Sequence, residues 1–356
     1  MNIPKNLLIV SPSGKIGGKA SFTQRLLDVY NKHYVKYTHI DLIRAKSSNR
    51  LIRVFEHALS FFRYKLKLIR ILTVRKIDIV QIHTSTYFDF YDLSLFLIIS
   101  KCFRKKVFLR YGGGSFPAFY NKAFGIQKQY MKWILKSADT LIVQSEYWKG
   151  VFKNIGINEE KMFVLPNFVN EKQFDPGEKD YLTTKLQILF IPAKSLRGKG
   201  FFDVKDAIVR IAQSNPQVTF HIVGPKVDKY IAGKNIKTYK SVLGKEKIEL
   251  FNKCHIFLLP TRAEGFPNAL IEAMAARMAV ITTNIPSIEC LVTDKKHCIL
   301  IHPKSEKEFE DAILSLLKNR IKIKGLAKSA QELVINNYCE DLIVSKLEKM
   351  YSSLSD

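Results

Sequence analysis

Two glutamates, Glu264 and Glu272, stand eight positions apart in the stretch "TRAEGFPNALIEAMAAR" (261–277). Between them lie Gly265, Phe266, Pro267 and Asn268, and Pro267 suits the first turn of a helix. The apolar run "HIFLLP" ahead of them completes a strand–loop–helix reading. Backbone N–H groups at such a helix start, on Gly265, Phe266 and Asn268, favour an anion such as phosphate. A carboxylate on either side then accepts paired hydroxyls, as sugars offer. An isolated pair of this spacing reads equally as a helix cap and a solvated side chain. The strand–loop–helix context is what favours a ligand.

Other residues repeat the theme of reactive groups just after apolar runs. "LQILFIPAKSLRGKG" (186–200) ends in a basic glycine turn with Lys194, Arg197 and Lys199. "NLLIVSP" (6–12) leads to "GKIGGKA", where Gly17 and Gly18 open a helix and phosphate can approach backbone without a Cβ in the way. His83 closes the run "IDIVQIH", and Tyr111, Gly112 and Gly113 follow "KVFLR". Taken singly, the turns read as surface loops and His83 as a structural histidine.

Elements that could position these groups are legible as a repeating order. Continuous apolar runs at 6–12, 77–83, 106–114 and 138–145 alternate with helical patterns, and a second series begins at 186 and runs to "CILIHP" (298–303). Such runs separated by helices imply parallel sheets covered on both faces. The Pro-, Asn- and charge-rich stretch 164–180 reads as a linker, and "EDLIVSKLEKMYSSL" as an amphipathic terminal helix. The expectation is α/β: two doubly wound domains, 1–170 and 171–341, with helix 342–356 returning to the first. The carboxyl ends of their strands would face each other across a cleft.

The chain of 356 residues carries a net charge of +25, and +18 of it falls on residues 1–170, with 28 Lys and Arg against 10 Asp and Glu. That half should meet something anionic: nucleic acid, an acidic polysaccharide or a membrane leaflet. The basic amphipathic stretch 50–77 reads either as a helix lying on an anionic leaflet or as a core helix with a solvated basic face. The longest apolar run, "LSLFLIIS" (93–100), is far short of the roughly 20 residues that span a bilayer. The N-terminus does not read as a signal peptide, and five scattered cysteines without a Cys-x-x-Cys pair fit a reducing cytoplasm.

"EGFPNALIEAMAA" resembles the E-x₇-E signature of the retaining glycosyltransferases of family 4, which have the GT-B fold. "GGKASFTQRLLDVY", "IDIVQIHT" and 138–174 are similar to further parts of that family. The resemblance implies that Glu264 contacts the transferred sugar and Glu272 the ribose of the nucleotide. It places Lys194 and Lys199 on the donor diphosphate, with Lys194 where the family usually has arginine and Arg197 close by. It also places His83 against the sugar or acceptor, and Tyr111, Gly112 and Gly113 on the acceptor side. The implied activity is metal-independent hexosyl transfer with retention, from a UDP- or GDP-sugar to a saccharide or polyprenyl-diphosphate-linked acceptor. No other cofactor is implied. Capsule, O-antigen or lipopolysaccharide assembly on the cytoplasmic face of the plasma membrane fits the charge. An inactive GT-B-like binding subunit and a nucleotide-sugar epimerase are the alternatives. Nucleic-acid binding rests on charge alone and lacks a recognisable module.

Overall fold

The computed structural model describes residues 6–13, 17–42, 50–192 and 195–352, without the side chains of residues 50, 51, 53 and 54. Lys194 lies outside the described residues. The chain divides into two compact units, Met1–Pro166 with Ile343–Asp356, and Asn167–Leu342.

The first unit alternates β1 (Leu7–Ser11), α1 (Gly18–Lys32), β2 (Tyr37–Asp41), α2 (Arg50–Val74), β3 (Ile79–Thr84), α3 (Phe88–Cys102) and β4 (Lys106–Tyr111). It continues with α4 (Phe116–Lys122), α5 (Gly125–Ser137), β5 (Thr140–Val143), α6 (Glu146–Asn154) and β6 (Met162–Val164). All strand pairs are parallel, in the order β2-β1-β3-β4-β5-β6. Helices cover both faces of the central strands, so all five residues of β1 and all six of β3 are buried, including the polar Ser11, Gln81, His83 and Thr84. β2 and β6 are not among the strands expected from the sequence. Both lie at sheet edges; β2 ("YTHID") buries only Ile40 and shows no continuous apolar run, while β6 ("MFV") is only three residues long and runs into the stretch read as a linker.

The second unit contains α7 (Glu171–Phe174), β7 (Leu186–Phe190), α8 (Phe201–Ser214), β8 (Val218–Val223), β9 (Ile236–Tyr239), α9 (Gly244–Lys253) and β10 (Ile256–Leu259). Then follow α10 (Asn268–Ala275), β11 (Ala279–Thr283), α11 (Pro286–Glu289), β12 (Ile299–Ile301), α12 (Glu306–Lys318) and α13 (Arg320–Asn337). Its parallel sheet has the order β12-β11-β10-β7-β8-β9. This is the Rossmann order read from the other edge. Two doubly wound sheets of six strands therefore make up the fold.

The last helix, α14 (Glu340–Ser352), belongs to the first unit from Ile343 onward. Tyr351 on it stacks on Phe108 at 5.7 Å, donates to Gln81 Oε1 at 2.6 Å, and meets the Tyr30 hydroxyl at 2.7 Å. Gln81 Nε2 in turn lies 2.6 Å from His83 Nε2, and His83 Nδ1 lies 2.9 Å from Thr23 Oγ1. An amide donating to Nε2 puts the imidazole proton on Nδ1, so the ring passes a hydrogen bond on to Thr23.

Two buried histidines tie the second sheet together. His221 lies 2.7 Å from Gln187 Oε1 and 2.8 Å from the Tyr239 hydroxyl. His255 Nδ1 accepts from the Gln187 N–H at 3.1 Å. Burial, aided by Lys253 and Lys237, pushes His221 down to about 4, and burial with Lys179 does the same to His255. An unfolded histidine titrates near 6.5. Below about pH 6.5 the unfolded chain therefore binds more protons than the native one, and stability is lost as pH falls toward 4. The melting temperature by circular dichroism should fall steadily from pH 7 to pH 5, with a shallower slope in His221→Gln/His255→Gln. A flat profile in the wild type would contradict this.

Candidate active site

In the second unit the chain leaves β7 toward β8 and β9 on one side and toward β10 and β11 on the other, so β7 and β10 flank the switch point of the sheet. Open α/β sheets bind ligands at the carboxyl ends of the strands there. The turn after β7 carries Arg197, Lys199 and Gly200, and the loop after β10 carries Glu264 to Pro267. The two are joined by backbone: the Arg262 N–H donates to Gly198 O at 2.9 Å. The Arg262 guanidinium adds an ion pair to Asp203 in the first turn of α8. Gly200 has φ +71°, and a Cβ on it would lie 1.8 Å from the Pro260 carbonyl oxygen. Only glycine allows the turn to lie so close.

That closeness brings Lys199 Nζ onto Glu264 Oε1 as an ion pair. Glu264 is 9% exposed and Lys199 keeps access to water. Glu272, in the second turn of α10, is 1% exposed, with Lys247 Nζ of α9 at 2.7 Å from its Oε2. Lys247 also stands over the rings of Phe251 and Phe174 at 5.5 and 6.0 Å. Each acid thus has its own lysine. Behind them, Lys179 Nζ donates to the carbonyls of Cys254 and Ala276, both at 2.6 Å, and so holds the carboxyl ends of α9 and α10 together. Phe266 is buried against Tyr338, and Asn268 Oδ1 accepts from Asn167 Nδ2 at 2.7 Å as α10 begins. Gly265 lies in the loop between Glu264 and that helix. Arg197 is exposed on the turn that bears Lys199.

The switch point of the first sheet falls between β1 and β3. Gly17, at φ +95° with open space where a Cβ would stand, precedes α1, which begins at Gly18. Lys19 pairs with Asp89 at 2.5 Å, and Asp89 accepts from Ser85 Oγ at 2.6 Å. Beside them a cavity of about 420 Å³ is lined by Ser60, Tyr64, Ser85, Tyr87, Asp89 and Asp92 among others. Tyr87 holds the left-handed region at φ 57°, with its ring 5.0 Å from Phe119. A bulky residue is held in that strained conformation by its surroundings, here at a cavity mouth. Aromatic rings, hydroxyls and carboxylates in one cavity suit a sugar.

His83 is 1% exposed, with both ring nitrogens engaged as described above. Burial, then the charges of Arg110 and Lys19, hold it well below the usual histidine range, so it is a neutral ring inside the polar chain. Tyr111 is also turned into the core, against Phe116 at 5.1 Å and Phe152 at 5.2 Å. Gly112 donates its N–H to Thr84 O at 2.9 Å, and Gly113 sits beside the Tyr111 ring. The structure thus brings Lys199 and Glu264 together and places Glu272 on the helix that follows. Lys247, Lys179 and Asp89 escape sequence reasoning, because a lysine in an amphipathic helix or a linker carries no local signal of a buried partner.

Two doubly wound sheets with these site residues at a switch point define an α/β protein of the GT-B type. Residues 171–333 match the family of glycosyl transferases group 1, and residues 32–173 match glycosyltransferase family 4. The chain belongs to this glycosyltransferase family. It is 26% identical over 207 residues to the N,N'-diacetylbacillosaminyl-diphospho-undecaprenol alpha-1,3-N-acetylgalactosaminyltransferase of Campylobacter jejuni, covering 56% of this chain and 53% of the relative. Among curated relatives, the first matches span 45 to 64% of their own length. The fold is shared with sucrose-phosphate synthase from Thermosynechococcus elongatus at TM-score 0.79, 16% identity and 99% of both chains. It is shared also with Anabaena HepE in complex with UDP-glucose, at TM-score 0.75, 16% identity, 98% of this chain and 99% of that one.

Two stability predictions follow from this geometry. Gly200→Ala should cost at least about 3 kcal/mol in urea unfolding, since it adds a backbone clash to an unfavourable φ. Gly17→Ala, with the same sign of φ but open space, should cost only about 1–2 kcal/mol; equal losses would contradict the packing described. Lys247→Ala removes the cation from beside a buried carboxylate and should cost ~1–3 kcal/mol, less than a fully buried pair because Lys247 is 28% exposed. Adding Glu272→Gln should restore most of that loss, and an additive double-mutant cycle would show that the pair is not coupled.

Proposed function

We propose that the protein transfers a sugar from a nucleotide-sugar donor bound at the second unit's switch point to an acceptor bound at the first unit's. The observation that carries this reading is Lys199 against Glu264 at that switch point, with Glu272 on the helix that follows. In this reading Glu272 accepts the ribose hydroxyls, and the start of α10 with Lys199 and Arg197 takes the UDP or GDP diphosphate. Glu264 accepts hydroxyls of the transferred sugar. Lys194, at the head of the same turn in sequence, is assigned to the diphosphate as well. Gly17 and Gly18, at the start of α1, are assigned to phosphate as well.

No carboxylate is assigned as a nucleophile on the sugar. The reaction is therefore read as a same-face displacement with retention: the acceptor hydroxyl attacks the anomeric carbon as the bond to the diphosphate oxygen breaks, and the departing oxygen takes the hydroxyl's proton. Lysine charge stabilises the departing diphosphate. That charge replaces a metal in this proposal, which agrees with the lack of an Asp-x-Asp motif in the sequence. His83 serves by holding α1 and β3 in place, and Gly112 and Gly113 line the acceptor side.

The acceptor is read as a saccharide carried on a polyprenyl diphosphate, within bacterial surface-polysaccharide assembly. The Campylobacter relative named for a diphospho-undecaprenol supports this, and the complex of HepE with UDP-glucose supports a nucleotide-sugar donor. The charge of the first half suits the anionic inner face of a plasma membrane. Among the described residues no helix is long and apolar enough to cross it.

A panel of UDP- and GDP-sugars should contain a donor that raises the melting temperature by mass action and is slowly hydrolysed. Glu264→Gln should lower turnover about 10²–10³-fold while donor binding changes far less. Glu272→Gln should act the other way, weakening donor binding. Full turnover in Glu264→Gln, or no donor bound and none turned over, would sink the reading.

A further inference from the structure

Helix α2 has two apolar faces, and among the described residues only one of them is covered. Leu68 and Leu72 are buried in the first unit, and Lys65 turns inward to pair with Asp92 while lying 3.6 Å from the centre of the Phe61 ring. On the other face Ile52, Phe55, Leu59, Phe62, Leu66 and Ile69 follow one another at alternating spacings of three and four. They are 51, 69, 59, 65, 66 and 37% exposed. At 100° per residue this is one continuous stripe more than four turns long. Single exposed apolar residues are ordinary in a folded protein; a row of six is an interaction surface.

The spacing would also suit a helix from a second copy. The charges beside the stripe decide against that. Arg63, Lys67 and Arg70 border it, all exposed, and Glu56 is the only acid in the helix. A second copy would set these cations near their own images on a half-chain that already carries +18. An anionic bilayer reverses the sign of the same interaction, attracting the basic border while the stripe enters the acyl boundary. Beyond the end of α2, Arg75 and Lys76 join Lys36 around a second cavity of about 310 Å³, adding positive charge.

We propose that α2 is a membrane-seated helix, and that the acceptor cavity draws its ligand from the leaflet. His57, Ser60, Phe61 and Tyr64 of the same helix line the 420 Å³ cavity. The cavity therefore lies about one helix width, ~10 Å, from the stripe. A diphosphate-linked sugar head spans that distance while its chain stays in lipid. The second clause rests on the transferase reading; the first does not.

The test is flotation of the full-length protein with vesicles of phosphatidylcholine alone and with added phosphatidylglycerol. The wild type should bind the phosphatidylglycerol vesicles, and less at high salt. Phe55→Ser/Phe62→Ser/Leu66→Ser should lower the partition coefficient at least tenfold, with an unchanged melting temperature showing that it is folded. Arg63→Gln/Lys67→Gln/Arg70→Gln should bind more weakly and lose most of the salt dependence. Nucleotide-sugar hydrolysis in vesicle-free buffer should be equal in the wild type and the serine variant. No vesicle binding, equal binding by the serine variant, or a wild-type dimer that this variant dissociates would overturn the proposal. Vesicle binding without hydrolysis in either protein would sink the transferase reading and leave the membrane-seated helix standing.

Discussion

The site in the second unit depends on one close approach: Gly200 lying on the carbonyl of Pro260. A parallel sheet delivers the ends of β7 and β10 side by side, but the pairing of their loops is a matter of backbone contact. With that contact made, Gly198 O accepts from the Arg262 N–H, and Lys199 falls within reach of Glu264. Remove it and the cation and the acid sit on two independent loops. An ion pair offsets part of the cost of withdrawing a carboxylate from water. Lys199 makes that pair with Glu264 and Lys247 makes it with Glu272, and both lysines keep access to water.

The first unit solves a similar problem without a surface ion pair at its centre. Tyr30, Tyr351, Gln81, His83 and Thr23 form a chain of hydrogen bonds that links α1, α14 and β3. Each of the five side chains has a hydrogen-bond partner in it, which offsets the cost of burying them. The chargeable groups lie at the sheet's carboxyl edge instead, where Lys19, Asp89 and Ser85 frame the start of α3.

How much of this is legible in the sequence follows from range. The spacing of Glu264 and Glu272 around a helix start is local, so it reads directly, as do the glycine turns and the runs that become β1, β3 and β7. His83 is legible as a strand end, but not its enclosure, because the residues that occupy its nitrogens come from two different elements. Tyr111 follows an apolar run next to three glycines and looks like a ligand-facing residue. Only the packing of Phe116 and Phe152 from later helices shows its ring to be core. Lys247 and Lys179 are invisible for the same reason: their partners lie 25 to 97 positions away. The stripe on α2 is partly legible as amphipathy, yet only the structure shows which of its two apolar faces is covered.

The discontinuity of the first unit has a consequence for how the chain comes to be folded. Tyr351 completes the buried hydrogen-bond chain at Gln81, but it leaves the ribosome after every residue of the second unit has been made. Until then β3 and β4 carry an uncovered seam where Phe108 and Gln81 wait for α14. The second unit, contiguous in sequence, can finish first. During synthesis the order of completion is therefore the reverse of the order of translation: the half that begins the chain is the half that closes last.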